Sequence, residues 1–313
     1  SGFQSITISG RSQYFTAGHK AMFWRRGASS LMRDHSTRKG SPPEAGNGFP
    51  NMKVEKHWWH SPSLGIPMPV AVYGHWGTPL LFFPTASADF EELERFGMID
   101  ALAHHIEAGR VKIVSCNAIN DLSWFDYDLH PGERVWRQEL YDRYLVRELV
   151  PFIWNNCGGR VPIGTVGCSM GAYHAMNAFG RHPGIFRSTI SMSGFYNISR
   201  YHQGIWNELC YFHNPTCYLA NAWHSPDKWL LDSASINVIC GQGPWERVEF
   251  ATQMHEVLNA GGIPNNFDLW GHVNTVTEPL PTHHWIDGVG SRTHNICSVK
   301  SGSIGGICPY WDF

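Results

Sequence analysis

One stretch limits the folds open to this chain more than any other: Val161-Pro-Ile-Gly-Thr-Val-Gly-Cys-Ser-Met-Gly-Ala172. It begins as a short apolar run, the pattern of a strand buried on both faces. It then presents Gly167-Cys168-Ser169-Met170-Gly171, a G-x-S-x-G sequence, and continues through 172–179 with small and apolar residues at helical spacing. Strand, G-x-S-x-G and helix in that order predict a nucleophile elbow. A serine on so sharp a turn needs glycines on both sides, because the backbone is strained and strand and helix pass close together. The N–H of Met170 then faces a developing oxyanion. A Gly-rich strand-to-helix turn in some other α/β protein is the plainer reading of the same residues.

The rest of the chain sets this turn in an alternating pattern. Residues 52–60 and 68–74 read as two antiparallel strands joined by a Pro/Gly turn. Residues 79–86 form a buried strand entering a loop, 89–108 a helix with acids in its first turn, and 111–117 the next strand. A polar and aromatic loop covers 118–133. The helix predicted at 136–154 carries Leu140, Tyr144, Leu145, Leu149 and Ile153 along one stripe. Strands follow at 187–194, 235–240 and 266–270, with a helix at 246–260 closed by Gly261-Gly262. Such alternation predicts an α/β fold with a mostly parallel eight-stranded sheet and helices on both faces.

Three segments stand apart. Residues 195–233 form an irregular, aromatic insert, placed where a lid or substrate-shaping cap would sit. Residues 1–51 are rich in Ser, Gly and Arg, poor in acids and lack a sustained period, and they read as an atypical N-terminal extension, either a leader with the composition of an organelle transit peptide or, the preferred reading, upstream or vector-derived sequence. Residues 287–313 read as an irregular C-terminal tail, which leaves 52–286 as the catalytic domain.

Charge and cysteine usage narrow the function classes. A net charge of −2 with 16 % charged residues gives no nucleic-acid footprint, and no basic amphipathic helix points to a membrane. None of the eight cysteines forms a C-x-x-C pair or a zinc-spaced cluster. Cys116 and Cys240 in strands, and Cys168 beside Ser169, act as small apolar residues. Free thiols and a cytoplasmic setting are expected, although Cys210 and Cys217 could pair across a loop. The 14 tryptophans suit a large core and an aromatic cleft. Trp124, Trp206 and Trp223 are cleft candidates, with buried packing the plainer role for each.

A serine nucleophile needs a base, and the base an orienting acid. On an elbow of this kind the chain order is Ser, acid, His. The acid belongs after the strand at 235–240, where Glu246 is the first carboxylate and Glu249 the alternative. Either could instead be a glutamate favoured at a helix N-terminus. The histidine belongs after the last strand, where His272 and His283 are in range and His284 and His294 are outsiders. With 18 histidines in the chain, ordinary loop content is the plainer reading of each. The second oxyanion donor should come from 85–89, as the N–H of Ala86 or Ser87.

Several short segments extend the elbow into a family likeness. They are Phe83-Pro-Thr85, Phe96-Gly-Met98, Glu148-Leu-Val-Pro151, His182-Pro183 with Phe186, Ser191-Met-Ser-Gly194, Gly241-Gln-Gly-Pro-Trp-Glu246 and Asp268-Leu-Trp-Gly-His272. Together they make residues 52 to 270 resemble the putative esterase branch of the α/β-hydrolase superfamily. That branch is related to S-formylglutathione hydrolase (esterase D) and to the mycobacterial mycolyltransferases. The resemblance implies an α/β-hydrolase fold and a serine esterase acting on a small-molecule carboxylic ester without metal or cofactor.

The resemblance also exposes a departure. Relatives follow W-G-H closely with a His-x-Trp that supplies the base, and then with a closing helix. Here 275–281 does not fit. Thr282-His283-His284-Trp285 resembles the mycolyltransferase Thr-His-x-Trp, which implies His283 as base after a longer loop. A shift of reading frame near Asn274 would instead leave His272 as the nearest imidazole. Two other functions stay open: an acyltransferase of the mycolyltransferase type, and a catalytically impaired binding protein on the same fold.

Overall fold

Around the elbow, a computed structural model describes residues 52–244 and 246–271. The N-terminal extension, the C-terminal tail and both candidate histidines lie outside the described residues. Eight strands form one sheet in the order β1-β2-β4-β3-β5-β6-β7-β8. They are β1 (Val54–His60), β2 (Pro67–Tyr73), β3 (Thr78–Phe83), β4 (Val111–Cys116), β5 (Ile163–Cys168), β6 (Phe186–Met192), β7 (Ser235–Gly241) and β8 (Asn266–Trp270). β2 is antiparallel to both β1 and β4, and every later pairing is parallel. β5 therefore lies centrally, between β3 and β6. That explains why β5 and β3 are buried along almost their whole length and show no alternation of apolar and polar residues.

The helices are α1 (Glu92–Arg95), α2 (Met98–Glu107), α3 (Pro131–Tyr144), α4 (Val150–Asn156), α5 (Met170–Arg181), four short ones within the insert, and α10 (Val248–Ala260). The four are α6 (Ser199–His202), α7 (Glu208–Phe212), α8 (Pro215–Tyr218) and α9 (Lys228–Asp232). One core packs Leu80, Ile113, Val166, Ile190 and Ile239 of the sheet against Leu102 and Ile106 of α2. A second gathers Trp124, Val135, Met170, Tyr173, Ile198, Tyr201 and Cys210, so the insert closes over the start of α5.

Three expectations need correction. The helix predicted at 89–108 is two helices, because Gly97 adopts a left-handed φ of 69° between them. The helix predicted from Trp136 starts at Pro131, whose fixed φ suits a first turn, and His130 Nδ1 accepts the Gly132 N–H at 3.2 Å. It then widens into a π-turn over Leu145–Leu149 before Pro151, which has no N–H for an α-helical bond. The insert is a string of short helices rather than irregular chain. The six cysteines among the described residues are free thiols, so Cys210 and Cys217 do not pair. No helix among the described residues is long and apolar enough to cross a membrane.

Candidate active site

Ser169 sits between the end of β5 and the first residue of α5 with φ 55° and ψ −117°, a conformation that side chains rarely adopt. Two glycines make it possible. A Cβ on Gly167 would lie 2.2 Å from the carbonyl carbon and oxygen of Gly171, and one on Gly171 would lie 2.4 Å from the Phe83 carbonyl oxygen. Both collisions are with backbone, which cannot swing aside. The G-x-S-x-G spacing is thus a steric requirement of strand and helix meeting beneath the β3 end. The Ser169 N–H donates to the Met192 carbonyl at 2.9 Å, tying the turn to β6. Met170 opens α5, so its N–H has no carbonyl within the helix to receive it.

The loop after β3 lies over this turn and is held by two buried side chains that sequence reasoning missed. Glu92 of α1 accepts the Thr85 N–H at 2.9 Å and also takes the Thr85 hydroxyl proton in a hydrogen bond. Burial raises the Glu92 pKa, while these two bonds act the other way. Asn120 Nδ2 donates to the Ala86 carbonyl at 2.9 Å, and His174 Nε2 lies 2.8 Å from Asn120 Oδ1. His174 belongs to α5 and stacks on Phe83. Burial, with a smaller contribution from His213, lowers its pKa to about 3, so the ring is neutral and donates Nε2–H. Among the described residues no partner takes the N–H of Ala86 or of Ser87. A polar residue on the buried helix after the elbow, His174, was the available signal.

Glu246 follows β7, outside α10, and is half-buried with Oε2 3.7 Å from Cys240 Sγ. Burial, together with the nearby Glu246 and Glu92 carboxylates, pushes the Cys168 thiol well above its usual range. Glu246 therefore lies within electrostatic reach of the residue next to Ser169. Glu249 instead lies in the first turn of α10, has a side chain 60 % exposed and pairs with Arg247 at 3.6 Å. Ser169, Met170, the Ala86–Ser87 loop and Glu246 thus gather at one end of the parallel strands. His272 and His283 lie outside the described residues.

Of the candidate cleft aromatics, Trp124 is fully buried packing. Trp223 packs against Lys228 and donates Nε1–H to the Ala260 carbonyl. Trp206 is exposed beside His202. Among the described residues no group of three or more His, Cys, Asp or Glu is arranged to hold a metal ion.

The family model described as "Putative esterase" matches residues 61–255. No curated protein matches the chain. Among solved structures, a ferulic acid esterase is 17 % identical over 76 % of this chain and 94 % of its own, with a TM-score of 0.55. An S-formylglutathione hydrolase from Staphylococcus aureus is 17 % identical over 76 % and 94 %, with a TM-score of 0.51. MPT51 of Mycobacterium tuberculosis is 18 % identical over 71 % and 91 %, with a TM-score of 0.52. At these identities the likeness is one of fold, and the fold is that of the α/β-hydrolases.

Proposed function

The chain belongs to the putative esterase family, and on that premise we propose that it is a serine carboxylic ester hydrolase working through an acyl-enzyme. The observation that supports this best is the left-handed backbone of Ser169, which the two flanking glycines permit and nothing in the packing of a plain turn requires.

In this reading Ser169 Oγ attacks the ester carbonyl while a histidine, His283 or otherwise His272, takes its proton. Glu246 orients that imidazole and stabilises its cationic form. The N–H groups of Met170 and of Ala86 or Ser87 hold the tetrahedral oxyanion. Collapse of the intermediate breaks the bond to the alkoxy oxygen, and the imidazolium protonates the departing alcohol. Water, deprotonated by the same histidine, then releases the acid and restores the Ser169 hydroxyl.

Hydrolysis of p-nitrophenyl esters of increasing acyl length tests the reading, with Ser169→Ala, Glu246→Gln, His283→Ala and His272→Ala beside the parent. A fall of several orders of magnitude in Ser169→Ala and in one histidine variant upholds it and identifies the base. A parent no faster than Ser169→Ala sinks it. Added alcohols that divert the acyl group into new esters would move the reaction to acyl transfer.

A further inference from the structure

Arg134, in the first turn of α3, is fully buried, and its Nε, Nη1 and Nη2 meet no hydrogen-bond partner among the described residues. Its guanidinium lies 5.2 Å over the Tyr127 ring. His202 of α6, a helix that packs against α3, is also buried, with neither ring nitrogen partnered among the described residues. Gln138, one turn further along α3, brings an unengaged Oε1.

Other arginines taken out of water here are treated differently. Arg137 reaches the Leu122 carbonyl and Asp126, and Arg181 reaches Glu139 and Asp142. A guanidinium keeps its charge at any working pH and carries five N–H donors, so burying it unpaired is severely unfavourable. Gln138 Oε1 has too few lone pairs to receive them all. The fold therefore leaves a planar, singly charged fork waiting for an acceptor.

The chemistry of that acceptor follows from the surroundings. Burial, then the charges of His213 and Arg134, lowers the His202 pKa to about 4, so His202 adds an N–H but no charge. One positive charge and a flat fork match one carboxylate held by two parallel bonds. A doubly charged phosphate would leave net negative charge in the same enclosure. Tyr127 and Trp206, 59 % and 57 % exposed, roof the group, with the Trp206 ring 5.8 Å from that of His202. Val135 and Tyr201, the neighbours of Arg134 and His202 in the chain, belong to the apolar cluster that contains Met170.

We propose that Arg134 and His202 form a carboxylate-binding site under Tyr127 and Trp206, beside the cluster that reaches Met170. The carboxylate is either free or the far end of the ester substrate.

Thermal melting of the full chain in sodium acetate, against sodium chloride at equal ionic strength, tests the site without any need for turnover. Acetate at about five times its Kd should raise the melting temperature by roughly 2–4 °C. Arg134→Met should lose the response. It removes a buried charge rather than creating one, so it should still fold. Arg134→Lys keeps the charge without the fork and should need about tenfold more acetate. Acetate acting no more than chloride, or acting equally on Arg134→Met, overturns the site.

The source is then separated by a second arm that rests on the esterase reading. It compares kcat/KM for an aryl hemisuccinate with that for the neutral aryl acetate. A ratio that falls about tenfold in Arg134→Met assigns the site to the substrate's own carboxylate. An unchanged ratio, with the acetate response intact, assigns it to a free one. If no ester turns over while the acetate response persists, the esterase reading has failed and the site stands.

Discussion

Asn120 Nδ2 donates to the carbonyl oxygen of Ala86 at 2.9 Å, and that one bond orients the next N–H in the chain. The Ala86 carbonyl and the Ser87 N–H belong to one planar trans peptide and point in opposite directions. Fixing the oxygen therefore aims the donor. His174 holds Asn120 from α5, so the helix that carries Met170 also positions the opposite loop.

On the proposal that the Ser87 N–H holds the oxyanion, Asn120→Ala should lower kcat for the best ester by up to about 100-fold while KM changes far less, because the displaced group would act on the transition state. His174→Ala should have a smaller effect of the same kind. The double variant should fall short of the sum, since both residues act through one peptide. Steady-state kinetics on variants with unchanged melting temperatures decide it. A rise in KM at constant kcat would mean that Asn120 shapes substrate binding instead.

The φ of 55° at Ser169 makes a prediction about stability that is separate from activity. An L-residue there costs about 1–3 kcal/mol of backbone strain, which glycine relieves. Glycine also gives the unfolded chain more freedom, at a cost of about 0.5–1 kcal/mol. Ser169→Gly should thus be about 1 kcal/mol more stable than Ser169→Ala in urea denaturation, with both inactive. Gly167→Ala should go the other way, by about 1–3 kcal/mol, because its methyl meets backbone that has nowhere to move. Equal stability of the two Ser169 variants would remove strain from the account.

Acid stability should decline in two stages. His174 and His202, with pKa values lowered by burial from 6.5 to about 3 and about 4, are neutral in the fold and take up protons more readily when unfolded. Their depressed values mean that stability is intact above pH 6.5 and is lost as pH falls from there. Glu139 adds the second stage. Burial alone would raise its pKa, but the hydrogen bond with His213 and the charge of Arg181 outweigh it and bring the value from 4.5 to about 2. That contribution is present above pH 4.5 and lost as pH falls towards 2. Glu139→Gln should flatten the lower limb of a plot of unfolding free energy against pH and leave the upper limb in place. A variant curve parallel to the parent throughout would remove Glu139 from the acid transition.

How much of this was legible depended on how local the cause is. The glycines at 167 and 171 answer to backbone a few residues away, so their spacing carries the elbow in the sequence itself. The strands were readable because buried parallel strands carry short apolar runs, as in residues 80–83 of β3. The break at Gly97 was masked because apolar spacing resumes on its far side, at Ile99 and Leu102. The short helices of the insert, of four or five residues, are too brief to show a period. Glu92, Asn120 and His174 converge on one loop from three distant parts of the chain, so only the fold brings them together. The same holds for Arg134 and His202.

Two phenols are among the groups that moor the insert to the body of the domain, Tyr218 to the Asn177 carbonyl and Tyr173 to the insert's own backbone. Tyr173, fully buried on α5, donates its hydroxyl to the carbonyl of His213 at 2.9 Å, just beyond α7. Tyr173→Phe removes the donor and leaves a buried carbonyl short of a partner, at a cost of about 1–3 kcal/mol. The loss should be local before it is global, because α7 and α8 are short helices with little hydrogen bonding of their own. Hydrogen exchange should therefore rise first across 207–218 in the variant, with the central strands protected as in the parent. Cys210 and Tyr201 share a cluster with Met170, so a loosened insert should also raise KM for long acyl chains more than for short ones. Uniformly faster exchange across sheet and insert together would mean that the insert opens only when the whole domain does.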